Sequence, residues 1–343
     1  MISVAIAAYN GALFIKEQLD SIINQTVPPD EIVISDDGST DDTLTVIETF
    51  KKEHPDFNIV LLTDKSWHFH GKNFEHAMDN TSGDYIFLAD QDDIWMPDKV
   101  EKVLAVFAEH PDAELVCHNC TLVDRNRNKV DGTFNYVFSL EGIATEQGNV
   151  RKVDCEKVYE GMLNLNGMCM CLSRKMMDKL TPYPNGRCSH DRWIGFVASL
   201  ENNFYFLNEN LAEYRLHGGN VCGNKALNPG LKQRFSRFAA RMKDADNLSL
   251  YLKYMPYCFF RTKMTESGIR SDERYEFTLI CNIADVLREC ETSNGIKGAA
   301  RLVRLYCGNV RFRKSGFFVV AFEFIYVLFF SRRRRIAVIN KYE

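Results

Sequence analysis

Three carboxylates stand within four residues at Asp90-Gln91-Asp92-Asp93. Carboxylates this close repel one another unless a cation or solvent offsets their charge. A hard divalent ion, Mg²⁺ or Mn²⁺, suits such a cluster because it prefers carboxylate oxygens and commonly completes its shell with substrate phosphates. Held there, it would bridge a diphosphate and neutralise charge on that group as it leaves. Two further polar clusters, Ala8-Tyr9-Asn10 and Asp36-Asp37-Gly38-Ser39, share one property with the first: each follows directly on an apolar, strand-like run. Taken singly, each also reads as an ordinary turn or helix cap, for which Asp, Asn, Gly and Ser are the expected residues. The sequence has no Gly-x-x-x-x-Gly-Lys-Ser/Thr loop and no Gly-rich dinucleotide fingerprint, so it supports neither P-loop phosphoryl transfer nor a nicotinamide cofactor.

The elements that must position these clusters alternate between short apolar runs and helical patterns, the signature of βαβ units and a mainly parallel sheet. Residues 2–7, 31–35, 59–62 and 85–89 read as strands. The helix after the first carries Leu13, Ile15, Leu19, Ile22 and Ile23 on one face. Ser39-Thr40-Asp41-Asp42 supplies cap oxygens for a second helix that turns Leu44, Ile47 and Phe50 inward, and further helices are expected over 73–78 and 99–110. In open parallel sheets the carboxyl ends of the strands form one rim where ligands bind, so the three clusters should converge there. Beyond residue 110 the pattern loosens. Strands are expected over 114–118, 166–172 and 204–208, a polar turn over 124–128, an irregular stretch from Gly132 to Gly148, and a helix over 191–200 through Ile194 and Phe196, which Asp191 can cap. Asp93 reads also as a cap for a helix leading to Trp95.

The chain has 343 residues, 45% hydrophobic and 26% charged, enough for one large domain and an appendage. A net charge of −4 argues against a dedicated nucleic-acid binder. The charge is unevenly spread: Lys297 to Lys341 holds eleven Lys or Arg against the single acid Glu323. Met1-Ile2-Ser3-Val4 runs straight into an apolar segment without a charged leader, which leads to the expectation of a cytoplasmic chain. Eleven scattered cysteines read as free thiols; Cys117-His118-Asn119-Cys120 and Cys169-Met170-Cys171 look like fragments of a zinc site but lack the spacing of one.

Four runs in order, Val4-Ala5-Ile6-Ala7-Ala8-Tyr9-Asn10-Gly11, Ser21-Ile22-Ile23-Asn24-Gln25-Thr26, Ile34-Ser35-Asp36-Asp37-Gly38-Ser39-Thr40-Asp41 and Leu88-Ala89-Asp90-Gln91-Asp92-Asp93-Ile94-Trp95, resemble family 2 glycosyltransferases. The resemblance covers roughly residues 1–220 and extends to the rhamnosyltransferase-like branch. It implies an α/β GT-A nucleotide-diphospho-sugar transferase fold, a nucleotide-diphospho-sugar donor, a divalent metal (Mn²⁺ or Mg²⁺) and inversion at the anomeric carbon. Carried over, it puts Ala8 and Tyr9 beside the nucleobase, Asp37 on a base N–H, and Lys72 and Asn73 beside the nucleoside, with Asp90 and Gln91 also on the donor side. Asp90 and Asp92 match the metal-binding pair, Asp92 as the direct ligand. Asn166-Gly167-Met168 resembles the segment lining the donor sugar; a strand bulge would use Gly167 equally well. Ser189-His190-Asp191-Arg192-Trp193 falls where the family keeps its catalytic acid, with His190 in place of the usual Glu. Asp191 is then the base that takes the acceptor proton, and His190, Arg192 and Trp193 face donor sugar or acceptor. Tyr214-Arg215-Leu216-His217 resembles the end of the same domain, where Arg215 would meet the diphosphate and His217 complete the metal site.

The expected domain plan is a GT-A domain over 1–222, a helical, basic region over 223–315, and an apolar then Arg-rich tail over 316–343. Gly316 to Phe330 is short for a membrane span and carries Glu323; with Arg332 to Arg335 behind it, it reads as an interfacial anchor, and alternatively as a buried or oligomeric helix. A glycan or lipid-linked glycan on the cytoplasmic face of a bacterial membrane is the acceptor this suggests. A sugar nucleotidyltransferase, which would also use metal carboxylates but attack phosphorus, and a non-catalytic nucleotide-sugar binder stay open.

Overall fold

The structure is a computed structural model that describes residues 1–130, 148–153, 165–181, 183, 189–200 and 202–217. The chain divides into two units, Met1–Tyr183 with Ser189–Ala226, and Pro184–Cys188 with Leu227–Glu343; the described residues all lie in the first. The helical region expected over 223–315, the tail over 316–343 and residues 132–147 of the irregular stretch lie outside the described residues.

The parallel half of the sheet is built from β1 (Ile2–Ala8), β2 (Glu31–Asp36), β3 (Asn58–Leu62) and β4 (Tyr85–Asp90). Val4, Ala5, Ile6, Ile32, Val33, Ile34, Ile86, Phe87 and Leu88 are all fully buried, so β1, β2 and β4 are covered on both faces and read as unbroken apolar runs. The cover comes from α1 (Ile15–Ile23), α2 (Thr43–Glu53), α3 (His70–Asp79) and α4 (Lys99–Glu109). In α1 the buried positions are Ile15, Gln18, Leu19, Ile22 and Ile23, the spacing of one helical stripe. Burying a side chain such as Leu19 or Phe50 contributes about 1.5–3 kcal/mol. Leu13, expected on that stripe, precedes the helix and is 71% exposed, because the turn at Gly11 accepts the N–H of Phe14 and Ile15 and starts the helix two residues later.

The second half of the sheet is mixed. It contains β5 (Ile94–Trp95), β6 (Leu115–Asp124), β7 (Val150–Lys152), β8 (Met170–Ser173) and β9 (Phe204–Leu216). Among the described residues the order is β3-β2-β1-β4-β8-β6-β9-β5, with β7 on β9. β8 runs antiparallel between β4 and β6, β6 and β9 are parallel, and β5 and β7 lie antiparallel on β9. β9 is far longer than the expected 204–208 strand. The polar Asn208-Glu209-Asn210 looks like a break, but the ladder with β6 shifts register there and continues. Asn119 donates to Asn208 Oδ1 at 2.9 Å, and Asn208 donates its N–H to Asn149 O at 2.8 Å. Two more expectations change. Residues 166–172 form a 3₁₀ turn, Gly167–Cys169, before β8 begins, and Trp95 lies in a strand rather than a helix. Asp93 accordingly accepts the N–H of Arg215 from β9, at 3.0 Å, instead of capping a helix.

Two further helices, α5 (Arg174–Leu180) and α6 (His190–Leu200), follow β8. The buried carboxylate Glu114 binds Lys175 and Lys179 of α5 at 2.7 and 2.6 Å. Among the described residues no helix is long and apolar enough to cross a membrane.

Candidate active site

The register of the parallel strands sets Ala8 beside Asp36 on one side, and Ala7 beside Asp90 on the other. The three polar clusters therefore emerge at one rim, as expected from strand order. Side chains then lock them together. Tyr9 donates its N–H to Gln91 Oε1, and Gln91 Nε2 donates back to Tyr9 O, both at 2.9 Å. Gly11 has no room for a side chain, since a Cβ there would stand 2.1 Å from Gln91 Oε1. Ala8 O accepts from Asp37 N at 2.9 Å and from Asn73 Nδ2 at 3.1 Å, so β1, β2 and α3 meet at a single carbonyl.

The two acids of the second cluster do different work. Asp36 closes a turn on itself, accepting the N–H of Gly38 and Ser39 at 3.0 and 2.8 Å; Gly38 has φ +82, which favours glycine. Asp37 is buried and accepts the N–H groups of Trp67, His68 and Phe69 at 2.5, 2.9 and 2.9 Å. It thus orders the loop that leads into α3 and holds His68 under the exposed ring of Tyr9, with ring centroids 6.2 Å apart. Lys72, by contrast, is paired along the helix with Glu75 at 2.6 Å.

At the third cluster, enclosure and then repulsion from Asp92 and Asp191 raise Asp90 to about 7, with Lys99 opposing. Burial, with Asp92 and Asp90, likewise pushes Asp93 well above the usual carboxylate range. Crowding of this kind is what a cation relieves. Asp92 turns toward the end of β9, where its Oδ2 meets His217 Nε2 at 2.7 Å. The ring of His217 lies on Phe14, centroids 4.4 Å apart, and the guanidinium of Arg215 sits 5.0 Å from the same ring. Arg215 is itself buried, and its Nη2 bonds Glu17 at 2.5 Å. Among the described residues no group of three or more His, Cys, Asp or Glu is arranged to hold a metal ion, which includes the cysteine fragments. Cys117, Cys120, Cys169 and Cys171 are buried free thiols. The donor set that is brought together is the pair Asp92 and His217. One carboxylate and one imidazole fit a cation that draws its other ligands from phosphate and water.

The fourth wall comes from the second half of the sheet. His190 begins α6, stacked on Phe74 with ring centroids 3.9 Å apart, and its Nε2 would be 2.3 Å from a Cβ at residue 167. Gly167 and His190, named from separate motifs, are thus in direct contact. Burial pulls the imidazole down to about 4, Asp191 opposing and His70 adding, so it is neutral near pH 7. Asp191 follows in the first turn of α6, and its charge acts on Asp90, His70 and His190. Trp193 points away into the core and donates its indole N–H to Leu180 O at 2.9 Å. The side chain of Arg192 lies outside the described residues.

Three residues here went unnoticed in the sequence. His70 stands edge-on to His190 at 6.2 Å, and its signal was only its place beside Gly71-Lys72-Asn73. Glu17, the partner of Arg215, gave none. Lys99 did, since it stands four residues before Val103 and seven before Val106 on the buried stripe of α4. Its ammonium is fully buried, donates to Met168 O at 2.8 Å and lies 3.8 Å from the centroid of the Trp95 ring. Burial pulls it down to about 8, against Cys169 and Asp93.

Residues 3–160 match the family described as Glycosyl transferase family 2. An uncharacterised glycosyltransferase of Nostoc sp. is 28% identical over 228 residues, which is 64% of this chain and 66% of that one. The dTDP-rhamnosyl transferase RfbG of Shigella flexneri is 42% identical over 101 residues, 29% of this chain and 35% of that one. The chain thus spans less than two thirds of the length of either relative. The crystal structure of S. aureus TarS 1-349 in complex with UDP-GlcNAc shares the fold, with a TM-score of 0.54 at 16% identity, covering 95% of this chain and 91% of that one. The strand-end rim, the order of its motifs and these matches agree: the fold is GT-A, and residues 3–160 form a glycosyl transferase family 2 domain.

Proposed function

We propose that this protein is an inverting glycosyltransferase that moves a sugar from a nucleotide diphosphate to an acceptor hydroxyl. One observation supports the reading: Asp191, far away in sequence, helps to raise Asp90, so a candidate base stands within electrostatic reach of a carboxylate cluster suited to diphosphate chemistry. Ala8, Tyr9, Asp37, Asn73 and Gln91 form the nucleoside side, Asp37 by ordering residues 67–69. Gly167 and His190 form the sugar side.

Asp191 accepts the proton of the acceptor hydroxyl as that oxygen forms its bond to the anomeric carbon. The bond from that carbon to the diphosphate oxygen breaks on the opposite face, and the nucleoside diphosphate departs with the electron pair. Configuration inverts because the displacement is single. Asp92 and His217 would hold a divalent cation, Mn²⁺ or Mg²⁺, which would supply charge stabilisation for the departing diphosphate. Arg215 backs this corner through Phe14 and Glu17 rather than reaching over it.

A relative named for dTDP-rhamnosyl transfer supports a nucleotide-diphospho-sugar as the donor class. For the acceptor we propose a growing glycan carried on lipid at the cytoplasmic face of the membrane. The support is the apolar run Gly316 to Phe330 followed by Arg332 to Arg335, a pattern that binds anionic lipid surfaces. Co-sedimentation with phosphatidylglycerol vesicles that vanishes when Arg332 to Arg335 become Ser tests the anchor.

The test of the central reading is a thermal-shift screen of UDP-, GDP- and dTDP-sugars with and without Mn²⁺, followed by product analysis. Release of nucleoside diphosphate is expected; release of pyrophosphate would turn the reading toward nucleotidyl transfer.

A further inference from the structure

Lys99 occupies an unfavourable place. It is the first residue of α4, where the helix end already carries partial positive charge, and it has no exposure to solvent. A buried ammonium persists only where its hydration is replaced. The replacement comes from two directions: the carbonyl of Met168 at 2.8 Å and the face of Trp95 at 3.8 Å. The segment that presents Lys99 is itself fastened. Gln25 Nε2 donates to Met96 O at 2.7 Å, and Gln25 Oε1 accepts Val100 N–H at 3.1 Å. Met168, the residue Lys99 grips, is the centre of the 3₁₀ turn Gly167–Cys169, whose first residue touches His190.

We propose that Lys99 is a positioning residue of the donor site, tying the turn that carries Gly167 to Trp95, which follows the Asp90–Asp93 cluster in the chain. The spacing between the sugar wall and the diphosphate corner is then fixed by one buried ammonium rather than by the loops above it. The inference rests on the proposed donor reading. It places Lys99 out of contact with the donor, acting on the sugar half of it and not on the nucleotide half.

The test separates those halves. Lys99→Met keeps the stem and removes the donor group and the charge; Lys99→Arg keeps both and changes the reach. Calorimetry in Mn²⁺ compares UDP, GDP and dTDP with UDP-glucose, GDP-mannose and dTDP-rhamnose on wild type and both variants. The affinity for the sugar ester and kcat should fall about 10- to 100-fold in Lys99→Met, the effect expected for losing a charged hydrogen bond, while affinity for the matching nucleoside diphosphate stays within about twofold. Lys99→Arg should show the same split to a smaller degree, and it serves alone if Lys99→Met does not fold. Equal losses for nucleotide and sugar ester, or no loss of either, overturn the positioning role. A wild-type protein that binds none of the six compounds takes down the donor reading first, and this inference with it.

Discussion

Gly167 and His190 fit together so closely that the Nε2 of the imidazole fills the place of a side chain at residue 167: a Cβ there would lie 2.3 Å away. The face of the ring is stacked on Phe74 with centroids 3.9 Å apart, so a shift of the imidazole disturbs that contact. Two motifs that the sequence separates by more than twenty positions are therefore one surface.

Replacing Gly167 by Ala should destabilise the protein by about 1–3 kcal/mol, the usual penalty for overpacking a filled interior. Chemical denaturation measures it. His190→Ala makes room, so the double variant should recover most of the loss relative to Gly167→Ala. Additive losses in the double variant would show that the two residues are not in contact.

His190 also predicts a pH dependence. Burial holds its folded-state pKa at about 4, whereas an imidazole in an unfolded chain titrates near 6.5. The unfolded chain takes up this proton first, so the contribution is fully present above pH ~6.5, declines as pH falls and is gone below about 4. The difference is on the order of 3 kcal/mol, at about 1.4 kcal/mol per pH unit. His190→Gln, which does not titrate, should flatten the slope of stability between pH 6.5 and 4.5. An unchanged slope would mean that His190 is solvated in the folded protein.

Much of this was legible in the sequence, and the reasons for success and failure are physical. Strands β1, β2 and β4 were readable because burial on both faces forces unbroken apolar runs, and their order forces the clusters onto one rim. The joining of those clusters at Ala8 O and Gln91 also follows from that order, though not its atoms. The length of β9 was hidden because a bulge lets a strand pass through Asn208-Glu209-Asn210, which local propensity reads as a turn. The turn at Gly167 was hidden because every residue from Gly167 to Leu172 is buried, and burial alone does not distinguish a 3₁₀ turn from a strand. Pairings such as Arg215 with Glu17 leave no local pattern at all, since neither residue's neighbours record the other.

The contact of Asp92 with His217, at 2.7 Å, makes a specific prediction about metal. If the pair supplies the protein ligands, His217→Gln and Asp92→Asn should each abolish the stimulation of transfer by Mn²⁺, and the double variant should be no worse than the more severe single one. Nucleotide-sugar transfer titrated with Mn²⁺ reads this directly. Stimulation that survives with an unchanged midpoint in both single variants would remove the pair from the metal site.

Asp191→Asn is the sharpest test of the chemistry. The amide is nearly the same size, so the first turn of α6 and the His190 stack should persist, yet it cannot accept a proton from the acceptor hydroxyl. Transfer should fall by about 10²- to 10⁴-fold, the range for losing a general base, with donor affinity nearly unchanged. A second consequence follows from the charge. Asp191 helps to raise Asp90, so its neutralisation should lower the Asp90 pKa from about 7, and the acid limb of metal binding should move to lower pH. A general structural injury would depress donor affinity and transfer together and leave that limb in place. Loss of transfer with intact donor binding and a shifted limb assigns both effects to one carboxylate, which is what a base facing the diphosphate corner requires.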